Sequence, residues 1–122
     1  MGSWHYPFIR ISCTPDEVNV VPGEVLELSL VAENHLFDDT FPVKVEVIAR
    51  FVNATELTLF GPFPANGVTI PARSDLSGVV ELDVPPNAPV GLKCVLKTVL
   101  INADGGEYVD EDRCDLSVLS DE

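Results

Sequence analysis

The chain has 122 residues, the size of one domain, and 46% of them are hydrophobic, which excludes a protein disordered by composition. Twenty acidic and seven basic residues give a net charge of −13, so long-range repulsion disfavours nucleic acid and anionic lipid as partners. No apolar run approaches the roughly 20 residues of a membrane helix, so we expect no membrane insertion. No secretory signal is visible, and residues 1–3 resemble the remnant of an expression tag.

Alternation of apolar and polar residues with a period of two predicts β-strands along the chain. In "EVLELSLVAE" (24–33), Leu26, Leu28, Leu30 and Ala32 share one face, which we expect to be buried. Ten prolines and several glycines divide the alternating runs into short segments. We predict seven main strands and a short extra one at 56–60; the seven are 8–13, 24–33, 43–53, 66–71, 78–84, 91–102 and 107–119.

The same alternation assigns an inward face to the other long strands. The predicted inward residues are Val43, Val45, Val47, Ala49 and Phe51, then Val80, Leu82 and Val84, then Cys94, Leu96, Thr98 and Leu100. Seven to eight short strands without a helical stripe predict an all-β fold, an immunoglobulin-like antiparallel β-sandwich. Because no internal repeat or linker is visible, we expect residues 1–122 to form a single domain.

Two stretches carry a resemblance to a known type of module. "VVPGEVLELSLVAEN" (20–34) and "LDVPPNAPVGLKCVL" (82–96) resemble the turns and strands of prokaryotic immunoglobulin-like modules of the CARDB type, and of accessory domains on secreted glycosidases. The chain departs from them at Leu92, where they often have an aromatic residue, and in its "DEDRC" ending. No tryptophan lies in the third strand, which argues against an antibody-type core; Trp4 is N-terminal.

The resemblance implies a non-catalytic structural or adhesive interaction module of a larger secreted or cell-surface protein of a prokaryote. Its partner would be another protein or a neighbouring domain. The alternative is a calcium- or carbohydrate-binding accessory module attached to an enzyme. We expect no catalysis, because no nucleophile elbow, zinc motif, phosphate loop or dinucleotide fingerprint is present.

The only histidines are His5 and His35, and they fit no catalytic triad. We expect His35 to be an exposed loop imidazole; the alternative is a ligand or pH-sensitive contact beside Asp38 and Asp39. Four phenylalanines in loops either plug the ends of the sandwich, which we favour, or form platforms for sugar or protein: Phe37, Phe41, Phe60 and Phe63.

The segment "GGEYVDEDRC" (105–114) is dense in carboxylates. Strand parity places Asp110 and Asp112 on the inward side with Cys114, so these two must lie at the rim or the strand must bulge. In an immunoglobulin-like sandwich this hairpin lies beside the loop after the second strand, which predicts one acidic end and a candidate calcium site at Asp38, Asp39, Asp104, Glu107 and Asp110. A solvated end that resists aggregation is the interpretation we favour over calcium, and we expect no other cofactor.

Three cysteines are too few for a disulfide scaffold. With the hairpin turn at 103–106, Leu96 faces Cys114 and Cys94 faces Leu116. Cys94 and Cys114 are then diagonal neighbours roughly 7–8 Å apart, beyond ordinary disulfide reach. The pattern is also compatible with a bridge from Cys13 to Cys114 and with three free thiols.

Overall fold

The structure is a computed structural model and describes residues 8–120, so the predictions about Trp4 and His5 lie outside the described part. Within 8–120 the chain forms strands and turns, and no helix capable of spanning a membrane is found there. The eight strands are β1 (Ile9–Thr14), β2 (Glu17–Val20), β3 (Val25–Asn34), β4 (Val43–Phe51), β5 (Glu56–Val68), β6 (Asp75–Asp83), β7 (Lys93–Asn102) and β8 (Tyr108–Val118).

The strands form two sheets that pack face to face, which confirms the predicted immunoglobulin-like β-sandwich. One sheet has three strands in the order β1-β3-β6, and the other has five in the order β2-β8-β7-β4-β5. Every pairing is antiparallel except that of β2 with β8, which is parallel. This exception arises because the chain crosses from one sheet to the other after Pro15, so that β1 pairs with β3 and β2 pairs with β8.

The predicted strand pattern was wrong in two places, and the ends of the other predicted strands differ from the observed ones by up to three residues. The four-residue β2 was not predicted, and the run 66–71 is not a strand of its own. Instead β5 continues from the predicted extra strand at 56–60 through Pro62 and Pro64 to Val68. An edge strand tolerates proline because one side of its backbone needs no partner within the sheet, so the prolines did not end the strand.

The predicted inward faces form the core, in two clusters of buried side chains. The larger lies around Leu28, Val47 and Leu96, and the smaller lies around Ile9, Val43, Ile70 and Leu100. Val45, Phe51, Val84 and Cys94 are only partly buried, although parity places them inward.

Strand β7 is buried on both faces in its middle, which simple alternation did not predict. Val99, on the face opposite Leu96, has no exposed surface. Lys97 is buried on that same face, with Nζ 3.3 Å from Glu56 Oε2. The aliphatic part of a lysine can cover apolar surface while its charged end finds a partner, and β7 lies centrally in the larger sheet.

Candidate functional site

The predicted acidic end is partly formed. The turn between β7 and β8 contacts the loop after β3, because the backbone N–H of Ala103 donates to the Pro42 carbonyl at 2.9 Å. Within the turn, the Asn102 side-chain amide donates to Glu107 Oε1 at 3.2 Å, and Asn102 Oδ1 accepts from the Asp104 N–H at 2.9 Å. The loop and the hairpin are therefore neighbours, as expected.

Of the five candidate calcium ligands, Asp39, Asp110 and Glu107 nevertheless bind different partners through their carboxylates. Asp39 Oδ1 accepts from the Ala72 N–H at 3.1 Å, and the Asp38 carbonyl accepts from the Asn34 side chain at 2.8 Å. Asp110 turns away from both, towards β1. Within residues 8–120, no three His, Cys, Asp or Glu side chains are placed so that they could hold a metal ion. Calcium binding at this end therefore stays a prediction.

Asp110 and Asp112, two of the four carboxylates of β8, form hydrogen bonds to the backbone of β1. Asp110 Oδ2 accepts from the buried N–H of Ile11 at 2.9 Å and lies 3.3 Å from Arg10 Nε. Asp112 Oδ2 accepts from the N–H of Cys13 at 2.8 Å. Strand β1 pairs with β3 on one side only, so its other N–H groups would lack partners inside the sandwich. The two carboxylates supply those partners and close this lateral side of the molecule.

The predicted inward parity of these carboxylates is confirmed. Asp110 lies opposite Leu100, and the register shifts between Leu100 and Ile101, so β8 bulges at Val109 beside it. Sequence reasoning anticipated the rim or the bulge. It missed the backbone of β1 as the hydrogen-bond donor, because no local signal connects residues about 100 positions apart.

The predicted register of the last hairpin is confirmed, with Leu96 opposite Cys114 and Cys94 opposite Leu116. Cys13, Cys94 and Cys114 are all free thiols. Burial raises the pKa of the Cys114 thiol to about 11, and the neighbouring Cys13 adds to the shift. Burial also raises the pKa of Cys13 and of Cys94, so all three are poor nucleophiles near neutral pH.

The loop residues divide between core and surface. His35 is an exposed imidazole with Nε2 3.7 Å from Glu33 Oε1. Phe41 packs against the smaller cluster and Phe60 against the larger one, as predicted for plugs. Phe37 and Phe63 remain exposed, and the Arg73 guanidinium lies over the Phe37 ring, 4.9 Å from its centroid.

The opposite lateral side, between the edge strands β5 and β6, is open. Here an apolar cavity of about 320 Å³ lies between the sheets and opens to solvent; we call it the β5–β6 cleft. Its walls come from six of the eight strands, and it extends inward as far as Ile11 of β1 and Leu100 of β7. Among the described residues that line it, Ser77 brings the only polar side chain.

The irregular course of β5 shapes one wall of the cleft. Its pairing with β4 shifts register three times, so that Val47 lies opposite Phe60 and Val45 opposite Phe63. Gly61 allows this course: its φ is +83°, and a Cβ there would collide with the Val45 carbonyl oxygen. Bulges of this kind re-aim side chains, and here they place both rings at the cleft.

Exposed apolar side chains surround the cleft. Leu57, Leu59, Phe63 and Val68 of β5 and Leu76 and Val79 of β6 are all exposed. A second apolar cavity of about 460 Å³ follows along the same strands, from Leu59 to Leu82 and Leu92. Several exposed apolar side chains on two edge strands mark a binding site more often than a lone exposed side chain does.

No protein-family model matches the chain, and no curated protein sequence matches it. Solved structures do. A Niemann-Pick type C2 protein from Japanese carpenter ant superposes with a TM-score of 0.60 at 12% identity, covering 91% of this chain and 92% of that one. A family 123 glycoside hydrolase from Clostridium perfringens gives 0.60 at 11% identity; 86% of this chain corresponds to 23% of that one.

The CARDB domain of PF1109 from Pyrococcus furiosus gives a TM-score of 0.57 at 14% identity, covering 91% and 92% of the two chains. A crystal structure of that CARDB domain is a complex with di-metal ions. At these identities the likeness shows the fold alone, an all-β sandwich similar to CARDB domains, in agreement with the resemblance seen in the sequence.

Proposed function

We propose that this chain is a non-catalytic binding module and that its binding site is the β5–β6 cleft. The observation that carries the proposal is the cleft itself: an apolar cavity open to solvent, in a sandwich whose other lateral side is closed by Asp110 and Asp112. Binding sites for small molecules are concave, mostly apolar and about 300–1,000 Å³ in volume.

An unfilled apolar cavity is costly, which argues that this one has a use. Apolar surface that stays in contact with water forgoes about 25 cal/mol per Å² of hydrophobic stabilisation, and whole domains are stable by only about 5–15 kcal/mol. Filling the space would require only larger side chains at positions such as Ala32 or Gly78. The sequence keeps small residues at both, as expected where a ligand enters.

We further propose that the module belongs to a larger secreted or cell-surface protein of a prokaryote and serves it as an interaction or accessory domain. This is supported by the similar Clostridium hydrolase, in which the matching region is 23% of the chain. A protein partner or neighbouring domain would contact the exposed apolar rim, where Phe63 and Val79 lie.

Carbohydrate fits this cleft poorly. Sugars need several hydrogen-bonding side chains, and Ser77 is the only polar one among the described lining residues. No contact among residues 8–120 favours calcium as a second function.

The test is a titration of the protein with Nile red, a neutral apolar fluorophore. We expect saturable binding at one site, weakened at least tenfold by Phe63→Ser. The matched control is Phe37→Ser, which removes an even more exposed ring that is not part of the cleft lining and should leave binding unchanged. Absence of saturable binding, or equal losses in the two variants, would refute the cleft as the binding site.

A further inference from the structure

The chemistry of the cleft also indicates what kind of molecule it takes. We infer that its ligand is a single slender apolar chain with a neutral or cationic polar end. This inference rests on the proposed function, because it names the ligand of the same site.

The shape of the cavity supports a slender ligand. Packed sheets lie about 10 Å apart, so the space between them holds one layer of side chains or one layer of ligand. The cleft enters between β5 and β6 and reaches Ile11, on the far edge strand of one sheet, and Leu100, on the central strand of the other. A single alkyl or isoprenoid chain matches a cavity that is thin, deep and lined by apolar groups.

Gly78 gives independent support for a ligand inside the cleft. It lies in the middle of β6, directly opposite Leu30, with the same parity as the buried Val80 and Leu82. A Cβ built on Gly78 would have no heavy atom within 4 Å, although Val80, the next residue of the same parity, belongs to the core. Glycine inside a strand weakens the strand and often marks a place where a ligand approaches the backbone. Here it leaves open space in the wall of the cavity.

The charges around the mouth of the cleft restrict which charge the polar end of the ligand can carry. Strand β6 carries three carboxylates, Asp75, Glu81 and Asp83, and the one carboxylate of β5, Glu56, is paired with Lys97; neither strand has a Lys or Arg. Arg73, in the turn before β6, lies over the Phe37 ring. With a net charge of −13 on the whole chain, an anionic end would be repelled and a cationic one attracted.

A neutral polar end has hydrogen-bonding groups available at the mouth. Ser77 is the only residue with a hydroxyl group among the described residues that line the cleft. Strand β6 is the edge of its sheet and pairs only with β3, so its outer N–H and C=O groups face the opening. Glycine at position 78 leaves this stretch of backbone uncovered.

The experiment is displacement of Nile red by three ten-carbon amphiphiles below their micellar concentrations: decanol, decyltrimethylammonium and decanoate at pH 8. We expect decanol and decyltrimethylammonium to displace the dye at concentrations at least tenfold lower than decanoate. If Nile red binds saturably but none of the three amphiphiles displaces it, the cleft is still supported as the binding site, but the inference that its ligand is a slender apolar chain is refuted. If decanoate is the best competitor, the inference about the polar end is wrong.

Gly78→Leu is the structural test, since it fills the cavity with a side chain that meets no protein atom at its Cβ. We expect the variant to fold with unchanged or higher thermal stability and to lose dye and amphiphile binding at least tenfold. Gly105→Leu is the matched control, because Gly105 also has open space around its Cβ position but lies in the β7–β8 turn. If Gly78→Leu does not fold, Ala32→Leu replaces it as the cavity-filling variant, because Ala32 lies on the wall of the cleft formed by β3. Unchanged binding in a folded Gly78→Leu or Ala32→Leu protein would overturn the inference.

A second copy of the chain is the competing occupant. Light scattering during the same titration distinguishes binding of a second copy from binding of a small ligand, because only the former doubles the molecular mass. A dimer that conceals the cleft and dissociates in Val79→Glu, with no amphiphile binding to either form, would assign the cleft to self-association and exclude the ligand.

Discussion

The carboxylate of Asp110 and the backbone N–H of Ile11 are joined by a 2.9 Å hydrogen bond that links the last strand to the first. Asp112 repeats the contact two residues further on, at the N–H of Cys13. Both strands advance by two residues between contacts, so alternate carboxylates of β8 meet alternate N–H groups of β1. The two sheets are thereby tied along one lateral side and remain open along the other.

Removal of this link should destabilise the fold. Asp110→Ala leaves the buried Ile11 N–H without its acceptor, which should lower the free energy of unfolding by about 1–3 kcal/mol. Asp110→Asn should recover part of the loss, since the amide oxygen can still accept. Glu111→Ala is the control, because Glu111 pairs with the exposed Arg113 and should change stability by about 0–1 kcal/mol. Urea unfolding measures all three, and equal stability of Asp110→Ala and wild type would contradict this role.

The acidic end should not bind calcium tightly, because its carboxylates are engaged at separate places. A ligand at 100 times its dissociation constant stabilises the folded state by about 2.7 kcal/mol, a rise of several degrees in Tm. We expect melts in millimolar calcium and in chelator to have the same midpoint. If calcium raises the Tm of the wild-type protein but not that of Asp104→Asn, the predicted calcium site is established.

Gly61 should be more sensitive to substitution than another glycine with positive φ. Gly61→Ala incurs both the left-handed backbone cost and a collision with the Val45 carbonyl, so we expect a loss of roughly 1–3 kcal/mol or more. Gly23→Ala is matched, since its φ is +87° but its Cβ would meet nothing within 4 Å. Thermal or urea unfolding should show that Gly61→Ala is less stable than Gly23→Ala. The reverse order would mean that the close approach of β5 to β4 does not matter for stability.

The buried thiols should make stability fall in alkaline solution. The pKa of Cys114 is raised in the folded state from 9.0 to about 11, so the folded protein holds the proton that the unfolded chain loses between these values. Stability is therefore unaffected by this group below about pH 9 and decreases from about pH 9 to about pH 11. Cys114→Ala should show a shallower decrease over that window in urea unfolding. Parallel curves for variant and wild type would show that this thiol does not contribute.

Features that depend on neighbours along the chain could be predicted from the amino-acid sequence. Period-two alternation identified the buried face of β3, including Leu28, because successive side chains of any strand point to opposite faces. The short turn between β7 and β8 determined that Leu96 faces Cys114, because a hairpin turn sets the register of its two strands. Parity alone also placed Asp110 inward, although it could not say what the carboxylate would meet.

The hydrogen-bond partner of Asp110 and the β5–β6 cleft both depend on how the strands pack in three dimensions. Ile11 and Asp110 are 99 residues apart and meet because the two sheets pack with β1 against β8. The course of β5 through Pro62 and Pro64 contradicts the local rule that proline ends a strand, because an edge position removes the reason for the rule. The β5–β6 cleft lies between two edge strands of different sheets, and no local pattern encodes how two such strands are placed in space. Gly78 shows the difference: in the sequence it is the first residue of the predicted strand 78–84, and in the folded protein it lies inside β6 and lines a cavity.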